Sequence, residues 1–300
     1  MKALFPLILL LAGCTGSGTA SCALEPLGTV PIRLVGNVPV TVVGINDQPA
    51  LLILDTGSDV TLLSRAAAAR LGVMSERNPS LLLSGAGGRL QAARAVLPTL
   101  QLAGAVATDV GAVVGRKLQA PIDGVLGINV LAGLELDLDA PAGRLTVYRA
   151  RAAACAGAAP PWTGPYTRLS TEQQPSGHLI TPAVLNGRPV RALLDTGASR
   201  TTVGLAAAAA VGITDADLRQ SKASVSQSLD ATGIVVRPQT FRELRLANAV
   251  FPDPVLDVAN LPPEAEDMII GSDYLTSRRV WIALATGTVF VDSADRPRRQ

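Results

Sequence analysis

The sequence predicts a mainly β protein made of two tandem lobes, each carrying one short helix. Three observations lead there. Leu52-Ile53-Leu54-Asp55-Thr56-Gly57-Ser58 returns as Ala192-Leu193-Leu194-Asp195-Thr196-Gly197-Ala198. Between and around these segments run short Val/Leu/Thr-rich stretches broken by Gly, Pro and Asn, the pattern of strands and turns. Each half also has an Ala-rich stretch closed by a glycine, the pattern of a short helix. A chain of 300 residues is long enough for two domains of ordinary size.

Composition narrows the function classes. The chain is 48% hydrophobic and 17% charged, with 28 Gly and 21 Pro, which is globular. Aromatics make up only 3%, so the core must come from Val, Leu, Ile and Ala. A net charge of +2 without a basic stripe argues against a nucleic-acid partner, and Arg296, Arg298 and Arg299 read as a solvated tail. Three scattered cysteines and the lone His178, placed near the start of a strand, make no metal cluster, and no cofactor is expected.

The first element is a leader. Lys2 precedes an apolar stretch, Ala3 to Ala12, too short to span a bilayer but the right length for a signal-peptide core. It ends in Leu11-Ala12-Gly13-Cys14, which resembles the lipobox of bacterial lipoproteins. That resemblance implies cleavage before Cys14, acylation of its thiol and anchoring to a lipid bilayer. Thr15 stands where the inner-membrane retention signal of such lipoproteins has Asp, which implies an outer-membrane location facing the periplasm. An ordinary secretory signal with an incidental Cys14 is the alternative. Outside the cytoplasm Cys22 and Cys155 either form a disulfide or stay as two free thiols, and spacing does not decide between them.

The remaining elements follow in two matched sets. Strands at Val38 to Val43 and Leu179 to Leu185, the second turning at Asn186-Gly187, precede the two aspartates. Helices at Ala66 to Ala69 and Ala206 to Ala210 end before Gly72 and Gly212, at the same spacing from Asp55 and Asp195. Asp123-Gly124-Val125-Leu126-Gly127-Ile128-Asn129 is answered by Asp267-Met268-Ile269-Ile270-Gly271-Ser272-Asp273. Each copy closes with a strand pair, Leu134 to Tyr148 through Pro141-Ala142-Gly143 and Val280 to Val291 through Thr286-Gly287. The expected organisation is a signal peptide at 1–13, a tether at 14–27, lobe 1 at 28–149, an Ala/Pro-rich linker at 150–165, lobe 2 at 166–293 and a tail at 294–300.

Two aspartates ending apolar strands need a reason to be there, because a buried carboxylate is costly unless paired or hydrogen-bonded. The repeat suggests that each is the partner of the other. An apolar pair followed by Asp, Thr, Gly and Ser or Ala, with a later apolar-apolar-Gly, resembles the aspartic proteases. Each unit is similar to retropepsin, and the tandem arrangement is similar to the bilobal pepsins and to bacterial two-unit retropepsin-like proteins. The resemblance implies two acid-protease β-barrel lobes in one pseudo-dimer and a polypeptide substrate, and the linker is long enough for the two units to pair within one chain as a monomer. The resemblance also implies that Asp55 and Asp195 hold the nucleophilic water. Thr56 and Thr196 would bond across to the opposite strand, and Gly57 and Gly197 would let backbone amides approach the carboxylates. Gly127 and Gly271 would pack beneath the loops. Gly-rich hairpins would cover the substrate, at Gly85, Gly87 and Gly88 in lobe 1 and at Thr232 and Gly233 in lobe 2, neither with the flap tyrosine of pepsins.

Ser58 facing Ala198 makes the two sides unequal. In pepsins a hydroxyl at this position bonds a catalytic carboxylate and favours its charged form, so the resemblance implies that Asp55 is the more acidic. Two alternatives stay open at this point. The fold could serve a non-catalytic, lipid-anchored periplasmic peptide-binding protein, and the site could form between chains. Arg200 either biases the cleft toward acidic substrates or serves the surface, while Trp162 and Trp281 read as packing residues.

Overall fold

The computed structural model describes residues 24–77, 81–85, 88–115, 118, 121–150, 158–226 and 233–293. The first half contains β1 (Leu24–Val35), β2 (Val38–Ile45), β3 (Gln48–Leu54), β4 (Thr61–Ser64), α1 (Arg65–Arg70), β5 (Leu81–Gly85), β6 (Gly88–Leu102), β7 (Ala105–Gly115), β8 (Gly124–Leu126), α2 (Ile128–Leu131), β9 (Glu135–Asp139) and β10 (Arg144–Ala150). The second contains β11 (Tyr166–Leu169), β12 (Glu172–Gln173), β13 (Leu179–Leu185), β14 (Arg188–Leu194), β15 (Thr202–Gly204), α3 (Leu205–Ala210), α4 (Asp215–Gln220), β16 (Ser224–Ser226), β17 (Ile234–Thr240), β18 (Glu243–Leu246), β19 (Ala249–Pro252), β20 (Val255–Ala259), β21 (Met268–Ile270), α5 (Ser272–Leu275), β22 (Arg279–Ala283) and β23 (Thr288–Asp292). The protein is mainly β, in two lobes that repeat one design.

Local chemistry accounts for the repeat. Asn186 and Gly187 take φ of 50° and 85°, the left-handed pair that a two-residue hairpin turn between β13 and β14 requires. Asn46 and Asp47 do the same between β2 and β3. The Ser64 hydroxyl accepts the Ala67 amide at 3.1 Å and caps α1, and Gly72 follows the helix at φ 66°. Gly212 ends the matching α3 at φ 97°.

One crossing, made twice, positions the aspartates. β8 lies between β3, to which it runs parallel, and β4, to which it runs antiparallel. β21 lies likewise between β14 and β15. The chain therefore leaves β3, passes Asp55 to Val60 over the end of β8, and returns as β4. Gly127 sits beneath that loop because a Cβ there would collide with the carbonyls of Ser58 and Val60. Gly271 meets Ala198 and Arg200 in the same way.

The lobes share a sheet. β9 pairs antiparallel with β22, from Glu135 opposite Ala283 to Asp139 opposite Arg279, so the terminal hairpins of the two copies join edge to edge. The run β11-β23-β22-β9-β10-β1 thus carries strands of both halves into one 13-stranded sheet, and ten strands of the second half form another. The inward face of the shared part, with Leu136, Leu138, Val280, Ile282, Val289 and Val291, lies in a core cluster drawn from both lobes.

Two expected boundaries move. Leu24 to Leu27 belong to β1, paired with β10, and not to a free tether. Within the expected linker, Trp162 is packed on the shared sheet. Its indole Nε1 donates to Asp137 at 3.2 Å, the Arg279 guanidinium lies over its ring at 4.8 Å, and its ring meets Trp281 edge-on. The packing roles of Trp162 and Trp281 follow, with Trp281 fully buried.

Glu135 is an anomaly of this sheet. It is 1% exposed at the junction of the lobes, and neither carboxyl oxygen has a hydrogen-bond partner. Burial raises its pKa; the facing Trp281 indole opposes the shift without reaching hydrogen-bond geometry. The native state therefore keeps a proton that the unfolded chain has released, and stability falls as pH rises from the ordinary carboxylate range through the folded value. Glu135→Gln is expected to flatten that decline and raise the melting temperature at neutral and mildly alkaline pH. Thermal melts across pH check it, and an equal decline in both proteins would refute it.

Candidate active site

Three polar pins, repeated in each lobe, hold the aspartate loops. The carboxylates of Asp123 and Asp267 accept the amides of Leu51 and Arg191, each at 2.9 Å, four residues before Asp55 and Asp195. The aspartates' own amides donate to Leu126 and Ile270 at 3.1 and 3.0 Å. Beyond the loops, Asn129 and Asp273 accept the amides of Thr61 and Thr201 at 2.8 and 2.9 Å, while those threonine hydroxyls accept the amides of Gly127 and Gly271. Every marker residue of the second sequence motif thus has a partner in the aspartate segment.

Across the lobes, Thr56 and Thr196 form a reciprocal lattice. The Thr56 hydroxyl donates to the Leu194 carbonyl at 2.8 Å and accepts the Thr196 amide at 3.1 Å. The Thr196 hydroxyl donates to Leu54 at 2.7 Å and accepts the Thr56 amide at 3.0 Å. Both threonines are buried, so these bonds are shielded from water. They lock the ends of β3 and β14 together, as the resemblance implied.

This lattice brings the carboxyls into contact. The space a Cβ on Gly57 would need is filled by the Asp195 carboxyl, and that of Gly197 by the Asp55 carboxyl, so only glycine fits at either place. Asp55 accepts the Gly57 amide at 2.9 Å, and Asp195 accepts those of Gly197 and Ala198 at 2.7 and 3.1 Å. Each carboxyl therefore lies against the loop that carries the other, where two negative charges disfavour each other and one retained proton relieves the repulsion. Burial, first, and then the facing Asp195 charge push the Asp55 carboxyl well above the usual aspartate range. Burial raises Asp195 as well, while the Gly197 amide and the bond from Asp55 oppose the rise. Both carboxyls are thus held above the usual aspartate range, and the pair as a whole keeps one proton.

The hydroxyl on which the expected acidity order rested is engaged elsewhere. The Ser58 hydroxyl does not bond the carboxylate and donates instead to the Val60 carbonyl at 3.0 Å. Backbone amides serve both carboxylates: Gly57 bonds Asp55, Gly197 and Ala198 bond Asp195, and the Ser58 amide also favours the charged form of Asp55. Ser58→Ala is accordingly expected to leave the acidic limb of the pH–activity profile unmoved, and an upward shift of that limb would overturn the assignment. The contribution of Ala198 is an amide, which any non-proline residue supplies.

Other predicted residues are scattered. Gly85 and Gly88 face each other at the turn of the β5–β6 hairpin, and Gly233 stands at φ 50° before β17. Gly87 and Thr232 lie outside the described residues, as do Cys14, Cys22 and Cys155. The Arg200 guanidinium is held by Asp257 at 2.8 Å. His178 does precede a strand, but it also reaches across to lobe 1, with Nε2 3.5 Å from the Asp59 carboxylate. The sequence carried a signal for this contact: counted back from its aspartate, His178 occupies the place of Val38, a polar residue against an apolar one.

Residues 38–130 and 181–274 each match the family described as Aspartyl protease. Compared with curated proteins, the chain matches none.

Proposed function

Because the chain belongs to the aspartyl protease family, with one copy of the family's unit in each lobe, we propose that it is an aspartic endopeptidase whose catalytic groups are Asp55 and Asp195. The carrying observation is that each carboxyl fills the space beside the glycine of the other lobe's loop, with the two loops tied by the Thr56 and Thr196 bonds. Two such groups cannot both ionise, so one proton remains at the pH of reaction. The charged Asp195 takes a proton from a water molecule, whose oxygen attacks the scissile carbonyl carbon. Asp55 polarises the carbonyl oxygen and passes its proton to it. As the tetrahedral gem-diol collapses, the carbon–nitrogen bond breaks, the proton held by Asp195 goes to the leaving amine, and one diol hydroxyl returns its proton to Asp55, which restores the singly protonated pair. Only the singly ionised pair performs this sequence, which makes the pH profile bell-shaped with limbs that belong to the pair.

Both aspartates come from one chain, which supports an intramolecular site and a monomer. The Gly-bearing hairpins β5–β6 and β16–β17 are suited to close over an extended polypeptide. We also propose that Cys14 is acylated and holds the protein on a bacterial outer membrane, in the periplasm. Among the described residues no helix is long and apolar enough to cross a membrane.

Peptide-library cleavage by the protein lacking residues 1–14 tests the proposal. Cleavage that a statine-type inhibitor blocks supports it. Binding of peptides without cleavage, undisturbed by Asp55→Asn with Asp195→Asn, would replace it with the binding-protein alternative.

A further inference from the structure

Val60 and Arg200 stand at the same spacing after Asp55 and Asp195, where each aspartate loop runs into its next strand. Val60 and Leu62 pack with Val113 of β7 and with Leu81 and Ala92 of the β5–β6 hairpin. This place therefore lies between the aspartate loop and the hairpin beside it. In lobe 2 the same place is charged. Leu62 is paired with Val113 and Thr202 with Asp257, so Asp257 stands where lobe 1 has Val113. Its strand, β20, is flanked by β15 and by β17 of the second hairpin. Asp257 is 3% exposed, and its Oδ2 accepts the Arg200 Nε at 2.8 Å. The Arg200 side chain is 45% exposed, and among the described residues its two terminal nitrogens bond nothing. Arg200 is two residues past Ala198, whose amide bonds Asp195.

The fold does not require an ion pair at this place, because two valines fill it in the sister lobe. Burying a carboxylate is costly, and well-packed apolar side chains serve such a place as well or better. What Asp257 adds is orientation. It grips the guanidinium at Nε and leaves the other end, with Nη1 and Nη2, open beside the aspartate loop. That end is a planar fork, which takes a carboxylate through two parallel hydrogen bonds. Resting on the protease reading above, we propose that Arg200 binds an acidic side chain of the substrate on the lobe-2 flank of the scissile bond, with Asp257 as its positioning residue. Val60 gives the lobe-1 flank no such group. The substrate class is thus a polypeptide with Glu or Asp on one side of the cleaved bond.

The test measures kcat/KM for matched peptides with Glu or Gln at each position around a bond that a peptide library shows to be cleaved. The wild type is expected to prefer Glu about tenfold at a position on one flank, the effect of one charge-assisted pair in a closed cleft. Arg200→Glu is expected to lose that preference and to favour Lys there. Arg200→Val with Asp257→Val writes the lobe-1 pair into lobe 2, leaves no unpaired carboxylate, and is expected to lose the preference as well. Each value is a ratio of two peptides on one protein, so a less stable variant still reports it. A wild type without the preference, or a preference that either variant retains, overturns the proposal. If the wild type cleaves nothing, the protease reading fails, and binding of Glu-containing and matched Gln-containing peptide pools, read by fluorescence anisotropy, still decides the role of Arg200. Tighter binding of the Glu pool that the double valine variant loses keeps Arg200 as the acid-binding group. Equal binding of the two pools, or none, overturns it.

Discussion

Asp195→Asn is expected to lower kcat/KM by about 10²–10⁴-fold or more, the share that a positioned proton acceptor contributes. The fold should survive, because the asparagine carbonyl can still accept the Gly197 and Ala198 amides that now bond Asp195. Its NH₂ can take the place of the proton between the two side chains. Asp55→Asn should be as inactive for the opposite reason, since an amide can polarise the carbonyl but cannot pass on a proton. Peptide binding is expected to persist in both, so the loss should appear in kcat. Circular dichroism with steady-state cleavage checks this, and a variant retaining wild-type kcat would remove that aspartate from the chemistry.

Thr196→Val carries the largest expected effect on assembly. Valine keeps the shape of threonine but leaves the Thr56 amide without its acceptor and the Leu54 carbonyl without its donor. Both groups are buried, and each orphaned group costs about 1–3 kcal/mol. Because these bonds join one lobe to the other, the damage should extend beyond stability: the carboxyls should lose their shared proton and cleavage should collapse. Thr196→Ser restores the hydroxyl and should recover both properties. Urea unfolding alongside cleavage separates the outcomes, and a valine variant as stable as the wild type would show that the lattice is incidental.

The features that recur in the chain were the ones its sequence revealed. Asp55 and Asp195, the threonines, the glycines and the paired helices each appear twice, and a repeat doubles a local signal. Even the acids Asp123 and Asp267 stood at matching places, although their role as acceptors for Leu51 and Arg191 needed the fold. Long-range pairing was hidden. Nothing local to Glu135–Asp139 or Arg279–Ala283 says that these strands meet each other, so the shared sheet was unforeseen, and with it the surface on which Trp162 packs. The short helix α4 was missed although Thr214 and Asp217 form a reciprocal capping box, a pattern visible in the sequence. The acidity order drawn from Ser58 lost its basis, because it depended on where that hydroxyl points. A hydroxyl beside an aspartate in sequence was too weak a guide, as Ser58 bonding Val60 makes plain.

The central claim is that one chain builds one catalytic site, half from each lobe. Titration of the cleavage activity with a tight-binding statine-type inhibitor tests it most directly, because the inhibitor's hydroxyl takes the place of the water between Asp55 and Asp195. The account predicts a linear fall to zero at one inhibitor per chain, at every protein concentration. An endpoint at one inhibitor per two chains would contradict it by placing the site between molecules, and an activity that the inhibitor never touches would contradict the dyad itself.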